Sequence, residues 1–472
     1  MRRTFIAATL LTLGAVPVIA QTTRSISASE KAQGAQANPQ LLAEYGGPYA
    51  GPQSAYVVRV GKRVAVQSGL SNAEGDFTVT LLNSPVENAF AIPGGYVYVT
   101  RQLLALMNSE AELASVLGHE VGHVAARHSR SRQRASTIGS LLAAGAGALT
   151  GSNIASQVVG QATQLGVLKY GRDQEYQADG LGVRYIAAAG YDPYAAADML
   201  AALGQSSALS ARLSGRGGNA LPSWVSSHPN SADRVKRARQ LAAATGRAEP
   251  PETQDVAFLR MLDGLAYDDD AAQGIVEGQQ FRHPALRVRF TAPSGYTIAN
   301  GSDAVTIAGT GGQAQFKTAA ATGDLSGFVT QQLRTLGATS SSPPQSGQTN
   351  GLRYAAATTR ATASGRAVDV TVVAYAFPGA THWFTLVTAA GSGVGAFAPL
   401  IASVAALTPA EAGQIRGKRI RIHTVRTGDT VATLARQMAY PTAQLERFTT
   451  LNGIDSGATL RPGMLVKLVV SG

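Results

Sequence analysis

The stretch Leu113–His128, LASVLGHEVGHVAARH, restricts what this chain can fold into more than any other part of it. Leu113, Val116, Leu117 and Val124 recur at helical spacing, which predicts an amphipathic helix. His119, Glu120 and His123 sit at its centre as H-E-x-x-H. Side chains four apart share one helical face, so both imidazoles point the same way with Glu120 beside them. Two neutral imidazoles on a rigid element make half of a tetrahedral zinc site, and the glutamate can handle a water's proton. Asn108 and Ser109 are placed to cap the helix, and Glu110 and Glu112 in its first turn complement its dipole.

Two histidines need a further protein donor. Tyr170–Asp179 is again helical in pattern, and Glu175 and Asp179 share a face there. Glu175 is expected to bind zinc, while Asp179 accepts the outer N–H of a ligand histidine and fixes its tautomer. One zinc per chain, held by His119, His123 and Glu175 with a position left open, is a catalytic rather than a structural arrangement. Such an ion lowers the pKa of a bound water to about 7 and polarises a carbonyl. Glu120 is then the general base, returning the proton to the leaving amine.

The neighbours sort by angle. His128 lies nine residues past His119, about 180° round the helix, which excludes it as a ligand and leaves it to cap the helix C-terminus. Arg127 falls on the active face, where it binds a nearby carboxylate or is simply solvated. His228, ahead of Pro229, is either a transition-state hydrogen-bond donor or a fourth, inhibitory zinc ligand. Arg234 follows six residues later and is grouped with Asp179 and Arg127 as a supporting residue.

Composition narrows the setting. The 472 residues contain no cysteine, which excludes disulfides, thiolate ligands and a cysteine nucleophile. Lys+Arg number 40 against 29 Asp+Glu, a net charge of +11. The positive charges are scattered, without interleaved aromatics. They fit a solvated surface with affinity for anionic envelope material better than a nucleic-acid site. Arg2 and Arg3, the apolar run Phe5–Val16 and the small-residue exit at Ala20 read as a cleaved secretory signal over residues 1–20. No transmembrane span is expected after cleavage, and peripheral membrane contact stays open. The expected setting is the periplasm, with the cell wall or outer membrane as candidate attachments.

The expected fold class is multidomain α+β. Residues 21–48, rich in Ser, Gln and Ala, read as a flexible leader. Residues 49–250 form a mainly helical zincin-type domain. It includes strands at Asp76–Leu82, Asn88–Ile92 and Tyr96–Val99, a helix ending near Leu203 and a Gly/Ser loop over Ser206–Leu221. Thr137–Leu168, small, apolar and nearly uncharged, is a buried helical hairpin, a plug over the site or a membrane-surface contact. Residues 251–410 alternate in short segments, giving an α+β domain with an antiparallel sheet and helices at Leu325–Leu336 and Val394–Ala406. Residues 421–470 read as a compact β-α-α-β module. His283 and His382 stand alone and are given no role.

Four landmarks now stand in order: Asn88-Ala89-Phe90 with Pro93-Gly94-Gly95, HEVGH, EYQAD, and His228-Pro229 with Arg234. In this order they resemble the gluzincin metalloproteases of the HtpX, BepA and CAAX-prenyl-protease group, peptidase family forty-eight of the metallo class. The resemblance covers roughly Leu41–Ala244. It implies zinc on His119, His123 and Glu175, catalysis by Glu120 and support from Asp179. It also implies His228 at the active site, and substrate backbone added as a strand at Asn88, Ala89 and Phe90. Two features of relatives, membrane spans and tetratricopeptide repeats, are not found in the sequence. The last module resembles a LysM domain, implying peptidoglycan binding near Gly428, Asp429, Thr430, Asn452 and Gly453. The middle domain faintly resembles the Mog1/PsbP-like fold. The resulting expectation is an exported zinc endopeptidase that degrades faulty envelope proteins. The alternatives are a largely latent, peptidoglycan-binding chaperone or scaffold, or a hydrolase of peptidoglycan peptides.

Overall fold

The computed structural model describes residues 25–70, 72–129, 170–214, 224, 228, 232–251, 253–301, 304–363 and 366–472. The expected signal at 1–20, the Thr137–Leu168 stretch and most of the loop after Ser214 lie outside the described residues.

The leader is not flexible where it is described. Ala28–Glu44 is a helix closed by a capping box: Glu30 N–H donates to Ser27 Oγ at 3.2 Å, and Ser27 N–H to Glu30 Oε2 at 2.9 Å. Its Ala and Gln are strong helix formers, so the same composition that suggests a mobile tail also supports a helix once a face is buried. Gly34 is that point of burial, because a Cβ there would strike the Pro93 carbonyl and the Tyr96 ring. Ala37, Leu41 and Leu42 cover Tyr45, Phe90, Ile92 and Tyr98.

Beneath this helix lies a three-stranded sheet. Tyr96–Thr100 is central, parallel to Thr78–Leu82 and antiparallel to Ala89–Ile92. Alternation sends Ala89, Ala91, Val97 and Val99 to the opposite face. There they meet the helices Gln53–Ala65 and Glu110–Ala125. Ser109 caps the latter, accepting from Glu112 N–H at 3.1 Å. Helices Arg172–Ala188, Ala195–Ser214 and Ala232–Ala243 complete this part. The third of these was expected to end near Leu203, with a loop from Ser206. Instead the helix continues, because Leu209 is buried and Ser206 Oγ is held 2.8 Å from the Glu87 carboxylate.

The middle part is α+β with an antiparallel seven-stranded sheet. Its long strands are Leu352–Ala363, Arg366–Phe377 and Ala380–Ala389. Helix Leu325–Thr335 covers one face. Phe281 and Phe290 of a smaller, four-stranded sheet pack on Phe316 and Phe384 of the other. The helix expected over Val394–Ala406 is shorter, Ala398–Ser403, since Ala405–Ala406 pairs as a strand with Val288 and Arg289. His382 is buried with Nδ1 2.9 Å from Thr318 Oγ1, a packing role.

The last part has the order strand, helix, helix, strand: Lys418–Thr424, Val431–Ala435, Gln444–Asn452 and Leu465–Ser471. It is not a detached module, and Pro250-Pro251 does not end the first core. Ile420, Leu434, Phe448 and Leu468 share one apolar cluster with Leu103, Leu106 and Leu113. Lys467 is fully buried in the seam, its Nζ donating to the carbonyls of Ala105 (2.8 Å), Leu106 (3.1 Å) and Met107 (2.8 Å). These carbonyls end helix Arg101–Leu106, where a cation is favoured. Consecutive aspartates fasten the three parts together. Asp268 accepts from Lys418 and Tyr440, Asp269 from Val276 N–H, and Asp270 from Asn83.

Two expected outcomes follow from these buried groups. Lys467→Met leaves three buried carbonyls short of donors and should lower unfolding stability by roughly 1–3 kcal/mol in denaturant titration. The Glu87 carboxyl is pushed up to about 7 by burial, with Ser206 pulling it back and Asp268 adding to the rise. Its native form therefore holds a proton more tightly than its unfolded form. That contribution is complete at low pH and is lost as pH rises from the ordinary carboxylate range through about 7. Glu87→Gln should match the parent's melting temperature near pH 4.5 and exceed it at pH 8.

Candidate metal centre

Helices Glu110–Ala125 and Arg172–Ala188 cross backbone against backbone. A Cβ on Gly182 would sit 3.0 Å from His119 N, one on Gly118 3.1 Å from Ile186, and one on Gly122 3.1 Å from Ala178 O. At that separation Glu175 faces both histidines. His119 Nε2 is 3.0 Å from His123 Nε2 and 3.6 Å from Glu175 Oε2, and His123 Nε2 is 3.6 Å from Glu175 Oε1. His228 enters from the far side, its Nδ1 3.2 Å from His119 Nε2 and 2.9 Å from Glu175 Oε1. All four side chains are buried, with one donor atom from each within 4.8 Å of the others. A tetrahedron with bonds of about 2.0–2.1 Å to nitrogen and oxygen has edges of roughly 3.3 Å. The observed spacings of 2.9–3.6 Å straddle that value, so the donor set fits a tetrahedral cation.

The sequence-predicted residues His119, Glu120, His123, Glu175, Asp179, His228 and Arg234 thus come together. Asp179 Oδ1 lies 3.0 Å from His119 Nδ1, as expected of an orienting carboxylate. Arg234 forks onto Asp179 through Nε (2.8 Å) and a terminal nitrogen (2.7 Å), and reaches Glu175 Oε2 at 3.0 Å. Burial pushes the Asp179 carboxyl up, but its bonds to Arg234 and His119 outweigh this and hold it well below the usual range. Burial pushes the Glu175 carboxyl up against the charges of His119 and Arg234. Burial also pushes His119 down, favouring the neutral imidazole that a metal needs.

Glu120 is fully buried beside the donors. Its Oε1 accepts from Trp224 Nε1 at 3.3 Å and lies 3.5 Å from His228 Nε2. Trp224 also stacks on His228, with ring centroids 4.7 Å apart and an interplanar angle of 18°. The sequence reading gave Trp224 no role. The signal was its position four residues before His228, which places the two rings on one turn, with His228 N–H donating to Trp224 O. Tyr170, stacked on His123 at 3.7 Å, and Gln177 were also missed.

Two assignments change. Arg127 is not on the active face. The helix ends at Ala125, Arg127 turns to φ 57°, and its guanidinium donates to Ser25 O. His128 does not cap the helix. Its Nδ1 lies 2.8 Å from His123 Nδ1 and its Nε2 3.0 Å from Gln177 Oε1.

The substrate-strand residues divide. Among the described residues, Ala89–Ile92 has a sheet partner on one side only. The Asn88 side chain donates to Tyr45 Oη, and Phe90 lies between Tyr45 and Tyr98, so both side chains face the leader helix rather than the donors. Only the strand's backbone can address a ligand. A cleft of about 220 Å³ opens beside His123, walled by Ile92, Pro93, Ser27, Glu30, Val124 and Arg127.

In the last part, Gly428 turns at φ 90°, Asp429 accepts from His423 and Arg426 N–H, and Thr430 caps the next helix. Asn452 is bound to Lys467, accepting from its N–H at 2.7 Å and donating to its carbonyl at 3.0 Å. It therefore holds the fold rather than lining an open glycan groove. Gly453 ends that helix at φ 62°, and a Cβ there would sit 3.4 Å from Asn108 Nδ2.

The class that this frame defines is a metalloprotease, and residues 52–242 match the family model Peptidase family M48. Over 215 residues the chain is 32% identical to the mitochondrial metalloendopeptidase OMA1 of Schizosaccharomyces pombe, covering 44% of this chain and 59% of that protein. Over 216 residues it is 28% identical to the beta-barrel assembly-enhancing protease of Yersinia pestis, covering 44% of this chain and 42% of that one. The chain thus spans about half the length of these relatives. Among solved structures, the solution structure of cyanobacterial PsbP from Synechocystis sp. PCC 6803 aligns to 28% of this chain and 98% of its own. Its TM-score of 0.22 and identity of 11% are too low to assign the middle part a fold. Among the described residues no helix is long and apolar enough to cross a membrane.

Because Asp179 both orients His119 and balances Arg234, Asp179→Asn should reduce metal affinity by about 10–100-fold in chelator competition. Arg234→Met, which strands a buried carboxylate, should lower stability by about 3–5 kcal/mol.

Proposed function

We propose that the chain is a zinc endopeptidase of envelope proteins whose resting state is closed by His228. The observation that carries this reading is the convergence of His119, His123, Glu175 and His228 with Glu120 alongside. Zinc held by these residues would supply Lewis acidity, lowering the pKa of water and polarising a scissile carbonyl. Glu120 takes the proton of the attacking water and delivers it to the leaving amine nitrogen. Trp224 holds the Glu120 carboxylate from one side, so its free lone pairs are aimed rather than mobile. The exposed backbone edge of Ala89–Ile92 takes the substrate as an added strand, and the cleft beside His123 receives a side chain.

His228 sits where a fourth donor belongs and is stacked on Trp224. Substrate hydrolysis then requires His228 to leave that position. This favours His228 as an inhibitory ligand in the resting state, and it also supports the second reading, a largely latent chaperone or scaffold.

Export rests on Arg2, Arg3, the apolar Phe5–Val16 run and Ala20. The beta-barrel assembly-enhancing proteases are similar to this chain over the same segment, which supports quality control in the envelope. Wall attachment rests on the β-α-α-β order of the last part and its surface turn at Gly428-Asp429-Thr430.

The test is casein hydrolysis by the zinc-loaded chain. Glu120→Gln should keep its zinc and lose at least about 10³-fold in rate; full proteolysis by that variant would sink the endopeptidase reading. His228→Ala should raise the rate or speed zinc exchange, and no gain in either would remove the closing role. Retention of the full chain on purified sacculi tests wall binding, which a wash-through would refute.

A further inference from the structure

We infer that His128 and Gln177 form a neutral relay that sets the proton on His123, making them positioning residues for the metal centre. The inference rests on the zinc reading of the site and adds residues that neither the motif nor the helical angles assign.

The argument is one of proton placement. His123 points Nε2 into the donor cluster, 3.0 Å from His119 Nε2. To bind a cation there, Nε2 must carry a lone pair, so the proton of the neutral ring belongs on Nδ1. His123 Nδ1 lies 2.8 Å from His128 Nδ1, and one of these two nitrogens donates. Were His128 the donor, His123 would carry its proton on Nε2, aimed into the cluster, and could not ligate. His128 Nδ1 is therefore the acceptor, and the proton of His128 sits on Nε2. That nitrogen lies 3.0 Å from Gln177 Oε1, a carbonyl oxygen that can only accept. Read outward to inward, the Gln177 carbonyl selects the His128 tautomer, and His128 selects that of His123.

The two helical ligands are thus oriented by different chemistry. His119 donates to a carboxylate, Asp179, anchored by Arg234. His123 donates to a neutral imidazole, with Tyr170 stacked on its ring at 18° to fix the plane. Glu175, Gln177 and Asp179 all lie on helix Arg172–Ala188, so one helix carries a ligand and the terminal partners of both histidines.

The test measures zinc affinity of the full chain by competition with a chromophoric chelator, with melting temperatures as a folding control. The parent should bind one zinc. His128→Phe keeps the ring's shape without an acceptor and should weaken binding about 10–100-fold. His128→Asn places its Oδ1 where Nδ1 stood and should recover most of that loss. Gln177→Leu, an exposed substitution that leaves packing alone, should weaken binding in the same direction, while Gln177→Glu should not. Nitrogen-15 spectra of the zinc-loaded parent should show His123 protonated on Nδ1 and His128 on Nε2. Parent-like affinity in both His128→Phe and Gln177→Leu, or His128→Asn falling as far as His128→Phe, would overturn the relay while leaving the zinc site standing. Failure of the parent to bind zinc would overturn the metalloprotease reading itself.

Discussion

The close crossing of helices Glu110–Ala125 and Arg172–Ala188 is the contact on which the site depends. Gly118, Gly122 and Gly182 allow it, since each would drive a Cβ to within 3.0–3.1 Å of the facing helix. Widening the crossing by the thickness of a methyl group would move Glu175 away from His119 and His123 and leave two imidazoles without their carboxylate. The glycines inside HEVGH are therefore as much a part of the site as its histidines. They set the distance, and the ligands set the chemistry.

Electrostatics then explains how so many charges persist in one buried place. Glu120, Glu175 and Asp179 are buried carboxylates, and Arg234 is the buried guanidinium that bonds two of them. A divalent cation would offset the remainder. A neutral partner for His123 fits this balance, because a second Asp179-like carboxylate would leave the cluster net negative. Arg234 alone spans ligand and orienting residue, tying helix Ala232–Ala243 to the centre. Since that helix follows His228 directly, the guanidinium also tethers the segment that carries the fourth donor.

Much of this was legible in the sequence for physical reasons that can be named. The helical period of Leu113, Val116 and Leu117 fixed the face of His119 and His123, Ser109 marked the start of the helix, and Glu175 and Asp179 four apart had to share a side. The errors share a cause as well. The angular reading of Arg127 and His128 assumed a helix that stops at Ala125, and a left-handed residue at 127 redirects everything after it. Composition misled at the leader, where the informative signal was the Ser27–Glu30 capping box. Asn88, Phe90 and Asn452 have partners far away in the chain, at Tyr45, Tyr98 and Lys467, and a strand's two faces look alike until something packs on one. The docking of the last part through Lys467 could not be read from a sequence that looks self-contained.

The central claim is that His119, His123, Glu175 and His228 hold one zinc together in the resting protein. X-ray absorption at the zinc edge measures it directly, because outer-shell scattering counts imidazoles. The account predicts one zinc per chain with three imidazoles and a carboxylate oxygen, falling to two imidazoles in His228→Ala. Two imidazoles in the parent, or no stoichiometric zinc, would contradict it.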